Sequence, residues 1–217
     1  MPVPVGRTLY EVAVPHDSCQ TIPCNHSYHQ CHRLQRSGSV SPPQLRDHSL
    51  SWFLSVTGAS AGLGCAVTEH ALQQGDSVVA TLRKPEVLSD LLAKYPSQLL
   101  VLSLDVKYPE QIHAAFENAL ERFGRVDVVL NNAGICVISE AEGMSDERGR
   151  ELFEVLFWGA TNVTKEAVKI FRERNNPPGG RLLQVSSRTA LRVVPGVAHY
   201  AAAYVATPHD AQVDQLF

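Results

Sequence analysis

The segment LSWFLSVTGASAGLGCAVTEHALQQG (residues 50–75) carries the pattern that decides the fold. Its first part, LSWFLSVTG, is a short apolar run that stops at glycine, as a buried strand does. Its last part, GLGCAVTEHALQQG, reads as a helix with Leu63, Ala66, Val67 and Ala71 along one stripe and Gly75 as its stop. Between them, TGASAGLG places glycines at 58, 62 and 64. Such spacing permits a tight turn and lets backbone amides approach a pyrophosphate, with the positive end of the helix dipole behind them. Two readings of the loop stand at this point: an anion cradle, or a glycine turn needed for close packing.

Working outward, the same alternation repeats. DSVVAT is a second strand, and PEVLSDLLAKYP a helix opening on Pro85. SQLLVLSLDV is a third strand, followed by a helix with Ile112, Phe116, Leu120 and Phe123 on one face. RVDVVLNNAG is a fourth strand. A long helical pattern then runs from about Ser145, its N-cap, to about Arg174, and after NNPPGG the segment RLLQVSS is a fifth strand. Near-continuous apolar strands alternating with helices predict an α/β domain: a doubly wound parallel sheet covered on both faces, in three layers. Its ligand belongs beyond the carboxyl ends of the strands. The polar residues worth attention fall there: Thr57–Gly64, Thr81–Lys84, Asp105, Asn131–Gly134 and Ser186–Ser187.

The whole chain has 217 residues, 44% hydrophobic and 19% charged, with net charge −3. That length supports one sizeable core, and the charge argues against a nucleic-acid partner, which needs a basic face. No apolar run approaches a membrane span, and the five cysteines suit reduced thiols in the cytoplasm better than a disulfide framework. Residues 1–49 are proline-rich and aperiodic, and read as a flexible leader. Cys19, Cys24, His26, His29, Cys31 and His32 in it are zinc-ligand types, but their spacing matches no common paired arrangement, so no metal is assigned. Cys65 and Cys136 read as buried small hydrophobes, His199 as a loop residue, and Phe157 and Trp158 as core.

Three motifs in order, T-G-x-x-x-G-x-G (57–64), N-N-A-G (131–134) and S-x12-Y (187–200), resemble the short-chain dehydrogenase/reductase family over about residues 51–202. The resemblance implies a Rossmann-type domain, here residues 50–206, that transfers hydride between NAD(P) and a ketone or secondary alcohol of a small molecule. It also implies that Gly58, Ser60, Gly62, Leu63 and Gly64 line the pyrophosphate and that Asp105 and Val106 meet the adenine. Asn131, Ala133 and Gly134 would support the sheet and approach the cofactor, though a purely structural strand-ending turn explains them equally. Ser187 would polarise the carbonyl and Tyr200 donate the proton while contacting the cofactor. At the tip of the second strand, ATLRKP offers Arg83 and Lys84 and no acid, so charge logic favours NADP(H) over NAD(H). The alternative is an ordinary solvated basic turn.

Two parts of the family's catalytic set are replaced. Where it carries asparagine in the long helix, VLFWG has Leu156; where it carries lysine four residues after the tyrosine, YAAAY has Tyr204. A free phenol with a pKa of about 10 is only ~0.1% ionised near neutrality, and a neutral Tyr204 supplies no cation to change that. General acid–base assistance is worth about 10²–10⁴ in rate. Reduction suffers less than oxidation, because a neutral phenol still donates. The expected function is an NADP-dependent oxidoreductase with an impaired site; the alternative is an inactive family member that binds the nucleotide. Past Ala202 the resemblance fades, and residues 207–217 read as an unrelated tail. The expectation is a domain truncated after the fifth strand by an altered 3′ reading from about residue 203. Pro208 should stop the tyrosine-bearing helix, which weakens the homo-oligomer contact that family members make through it.

Overall fold

The structure is a computed structural model that describes residues 51–192 and 194–207. The leader with its Cys/His cluster, and all of the tail beyond Thr207, lie outside the described residues. Five parallel strands form one sheet in the order β3-β2-β1-β4-β5, where β1 is Phe53–Thr57, β2 Ser77–Leu82, β3 Leu99–Ser103, β4 Val128–Asn131 and β5 Arg181–Gln184. Val56 aligns with Ala80 on one side and Leu130 on the other, and Val129 aligns with Leu182. Chain order reverses beside β1, so the crevice between the carboxyl ends of β1 and β4 is the switch point of a doubly wound sheet.

Helices cover both faces. On one lie α1 (Gly62–Gln73) and α2 (Ser89–Lys94), the latter preceded by a 3₁₀ turn at Pro85–Leu88. Here Val56, Leu72, Val78, Ala80 and Leu99 make the core. The expected α1 stripe needs correction: Leu63 and Ala66 face solvent, and the buried residues are Gly64, Cys65, Thr68, Ala71 and Leu72. The face turns because small residues, rather than the bulkiest ones, let α1 sit close to the glycine loop. On the opposite face lie α3 (Pro109–Phe123), α4 (Asp146–Phe153), α5 (Ala160–Glu173) and α6 (Ala198–Ala206) around Ile112, Phe116, Val129, Leu152, Leu156, Val163 and Phe171. Such two-sided burial explains why β2 is buried from Val78 to Leu82 without alternation.

The long helix predicted from Ser145 to Arg174 is interrupted. Ser145 does cap it, its hydroxyl accepting from the Arg148 amide, but residues Glu154–Gly159 form a π-turn. The wider turn hands two carbonyls to side chains outside the helix: Thr207 Oγ1 donates to Leu156 O at 2.9 Å, and Asn131 Nδ2 to Ala160 O at 2.9 Å. Gly159 is required there, since a Cβ would stand 2.7 Å from Val106 Cγ2. α6 ends at Ala206 with Thr207 extended (φ −63°, ψ 135°), as expected for the residue before a proline.

The ends of β1 and β4 are latched. Thr57, 1% exposed, accepts through Oγ1 from the amides of Asn132 (2.9 Å) and Ala133 (3.0 Å). Asn132 Nδ2 returns bonds to the carbonyls of Thr57 and Gly58. Replacing Thr57 with valine keeps the volume and strands both amides. We expect a stability loss of about 1–3 kcal/mol in urea denaturation, with Thr57→Ser close to wild type.

Candidate active site

A cleft of about 320 Å³ opens over the carboxyl ends of β1–β4. Gly58, Ser60 and Ala61 form one wall; Thr81, Leu82 and Arg83 follow from β2. Leu104 to Lys107 come from the end of β3 and Asn132 to Ile135 from the end of β4, with Glu151 and Val155 on the far side. Gly58, Ser60, Arg83, Asp105, Val106, Ala133 and Gly134 thus share one cavity. Gly62, Leu63 and Gly64 form the first turn of α1 rather than the cleft surface, and Asn131 lies behind it. The Asn131 amide is fully engaged, donating to Ala160 O and to Gln184 Oε1 (2.8 Å), so this side chain ties β4 to α5 and β5.

The loop holds its shape through glycine. Gly58 (φ +70°) passes so close to the fourth-strand turn that a Cβ would lie 2.9 Å from Ala133 Cα. A Cβ at Gly64 would strike the Gly58 carbonyl and the Asn132 side chain. The start of α1 is left open: its N-cap is Ala61, no side chain caps it, and its first turn has no acidic residue. The orphan amides and the positive dipole end therefore face the cleft, a setting that favours an anion. Arg83 and Lys84 are exposed and pair with no carboxylate among the described residues. Lys107 brings a further cation, 3.7 Å from Asp105, whose position is fixed by the Lys107 amide on Oδ1 and by its own amide on Gln111 Oε1.

Ser187 and Tyr200 sit beyond the cleft, on the turn after β5 and on α6, which packs on the Arg188–Ala190 turn. Ser187 Oγ accepts from Thr189 Oγ1 (2.9 Å) and Thr189 N (3.3 Å). The amide bond arrives at the Ser187 oxygen, and the two hydroxyls pair with one another, so Thr189 fixes where the Ser187 hydroxyl stands. Tyr200 packs on the same apolar cluster as the cleft residues Ala133 and Ile135. Its ring meets that of Tyr204 edge-on, with centroids 4.9 Å apart and planes at 73°. Tyr204 is 8% exposed and Leu156 2%. Burial first, then Tyr200 and Cys136, push the Tyr204 phenol well above the ordinary tyrosine range, so it is neutral at any working pH.

Sequence reasoning missed Lys107 and Thr189, and took Asn132 only as part of the N-N-A-G motif. Lys107 was findable as a cation directly after a strand-ending Asp-Val; the latching role of Asn132 depends on a turn geometry that no spacing displays. Three readings are corrected. Cys136 is exposed, because it lies on the open turn after β4, whereas Cys65 is buried. Trp158 is 49% exposed, since the π-turn points it outward. His199 belongs to α6, packed against Gly149, rather than to a loop.

The short chain dehydrogenase family model matches residues 53–209. An uncharacterized oxidoreductase of Schizosaccharomyces pombe is 42% identical over 132 residues, covering 61% of this chain and 43% of that one. Oxidoreductase calM of Penicillium decumbens is 35% identical over 169 residues, covering 74% and 55% respectively. Among solved structures, a short-chain dehydrogenase from Streptomyces avermitilis is 36% identical with a TM-score of 0.67, covering 72% of this chain and 57% of that one. The chain spans about half the length of the curated relatives it matches. A Gly64→Ala substitution should overpack the glycine loop where it meets Asn132. It is expected to cost about 1–3 kcal/mol, read as a lowered melting temperature.

Proposed function

This chain belongs to the short-chain dehydrogenase family, and on that basis we propose that it is an oxidoreductase passing hydride between NADP(H) and a ketone or secondary alcohol of a small molecule. The observation that carries the reading is the uncapped, acid-free start of α1 opening into a cleft that Arg83 borders without a carboxylate partner among the described residues. The loop amides and α1 would hold the pyrophosphate, Asp105 and Val106 the adenine end, and Arg83 a ribose 2′-phosphate, for which a guanidinium fork is suited. The bound nicotinamide would supply the hydride. Ser187 would donate a hydrogen bond to the substrate oxygen, and Tyr200, at the cofactor's edge, would donate the proton. Residues 50–206 are the unit of this reading.

A second reading, a member that holds the nucleotide with little or no turnover, is favoured by the neutral Tyr204 beside Tyr200 and by the apolar Leu156 that meets Tyr204 over Gly134. NADPH consumption against a panel of ketones separates the two. A cytoplasmic setting belongs to this reading as a proposal. Among the described residues no helix is long and apolar enough to cross a membrane. α6 covers nine residues, and no subunit contact through it enters this reading.

Tyr200→Phe should lower ketone reduction by about 10²–10⁴ while NADPH binding measured by fluorescence stays unchanged. Arg83→Ala should weaken NADPH about tenfold, a modest loss because the site is exposed, and leave NADH affinity as it was. An equal loss for both nucleotides would remove the 2′-phosphate assignment.

A further inference from the structure

The residues at 156 and 204 stand on different elements, yet they converge on one glycine. The position that a Cβ of Gly134 would occupy lies 3.1 Å from Tyr204 Oη and 3.2 Å from Leu156 Cδ2. Both side chains belong to the same buried cluster, together with Ala203. The elements that carry them are stitched together, α6 packing on the π-turn and Thr207 Oγ1 donating to the Leu156 carbonyl. The ring of Tyr204 in turn meets that of Tyr200 edge-on.

We propose that Leu156 and Tyr204 form one interdependent unit, an apolar wall over Gly134 that positions Tyr200. Each residue makes the other necessary. A cation introduced at 204 alone would be buried against Leu156 and Ala203 with no partner for its charge. An amide introduced at 156 alone would lie in the apolar cluster that holds Leu156, Ala203 and Tyr204. Exchanged together, the two polar groups satisfy one another. The edge-on contact gives Tyr204 a second task, since an aromatic neighbour restrains where the Tyr200 ring, and with it the phenol oxygen, stands. This positioning role rests on the reductase reading above; the interdependence does not.

The test is a double-mutant cycle on the full chain, with Leu156→Asn, Tyr204→Lys and both together, followed by thermal melting. The double variant should lose less than half of the summed melting-temperature loss of the two single variants. Additive losses overturn the unit. Should Tyr204→Lys fail to fold, a milder cycle with Leu156→Val and Tyr204→Met is read in the same way for the coupling of the two sites. For positioning, Tyr204→Phe retains the ring and should keep kcat for NADPH-dependent ketone reduction near the wild-type value. Tyr204→Leu removes the ring edge and should lower kcat about tenfold or more, with KM for NADPH unchanged. Equal kcat in the two variants overturns the positioning role. A wild type without turnover overturns the reductase reading and the positioning that rests on it, and leaves the melting cycle to decide the unit.

Discussion

The hydroxyl of Thr57 is the constraint on which the rest of the site depends. It accepts two amides from the turn after β4 and so fixes where the glycine loop, at the end of β1, meets Asn132–Gly134. That junction is the point where the strand order reverses, and every other part of the site is measured from it. Gly58 and Gly64 are glycines because the two turns come so close that a methyl would not fit. Asn131, one residue before the latch, extends the same network sideways to β5 and upward to Ala160 on α5. The latch is thus both a sheet contact and the mounting of the cleft, and buried polar groups of this kind fix a single arrangement only when all are satisfied.

Two halves of the site have then gone different ways. The half built on β1–β3 combines an uncapped helix start, backbone amides and the Arg83 side chain, a set suited to an anion. The half built on the π-turn and α6 has become apolar, with Leu156 and Tyr204 closing over Gly134. Ser187 is held in place by the Thr189 amide and hydroxyl.

Much of the fold was legible. Glycine punctuation and unbroken apolar strands point to the parallel sheet, and the elements fall within a few residues of their expected positions. What failed has local causes. The α1 stripe was read from bulk, and it misplaced Leu63 because closeness to the loop selects Cys65 and Thr68 instead. The π-turn was invisible because its partners, Asn131, Val106 and Thr207, are distant in sequence, and Gly159 alone does not announce it. In the same way Leu156 and Tyr204 were legible as two separate departures. Only the packing over Gly134 joins them. Cleft residues that follow strands were found where their motif was distinctive, and Lys107 was overlooked because a lone cation has no pattern.

The central claim is that the nucleotide half of this site is intact irrespective of what the catalytic half does. Isothermal titration of the full chain with NADPH, and then with NADH, tests it most directly. The account predicts saturable one-to-one binding of NADPH, with NADH weaker. Absence of binding heat with either nucleotide, in a chain that melts cooperatively, would contradict it.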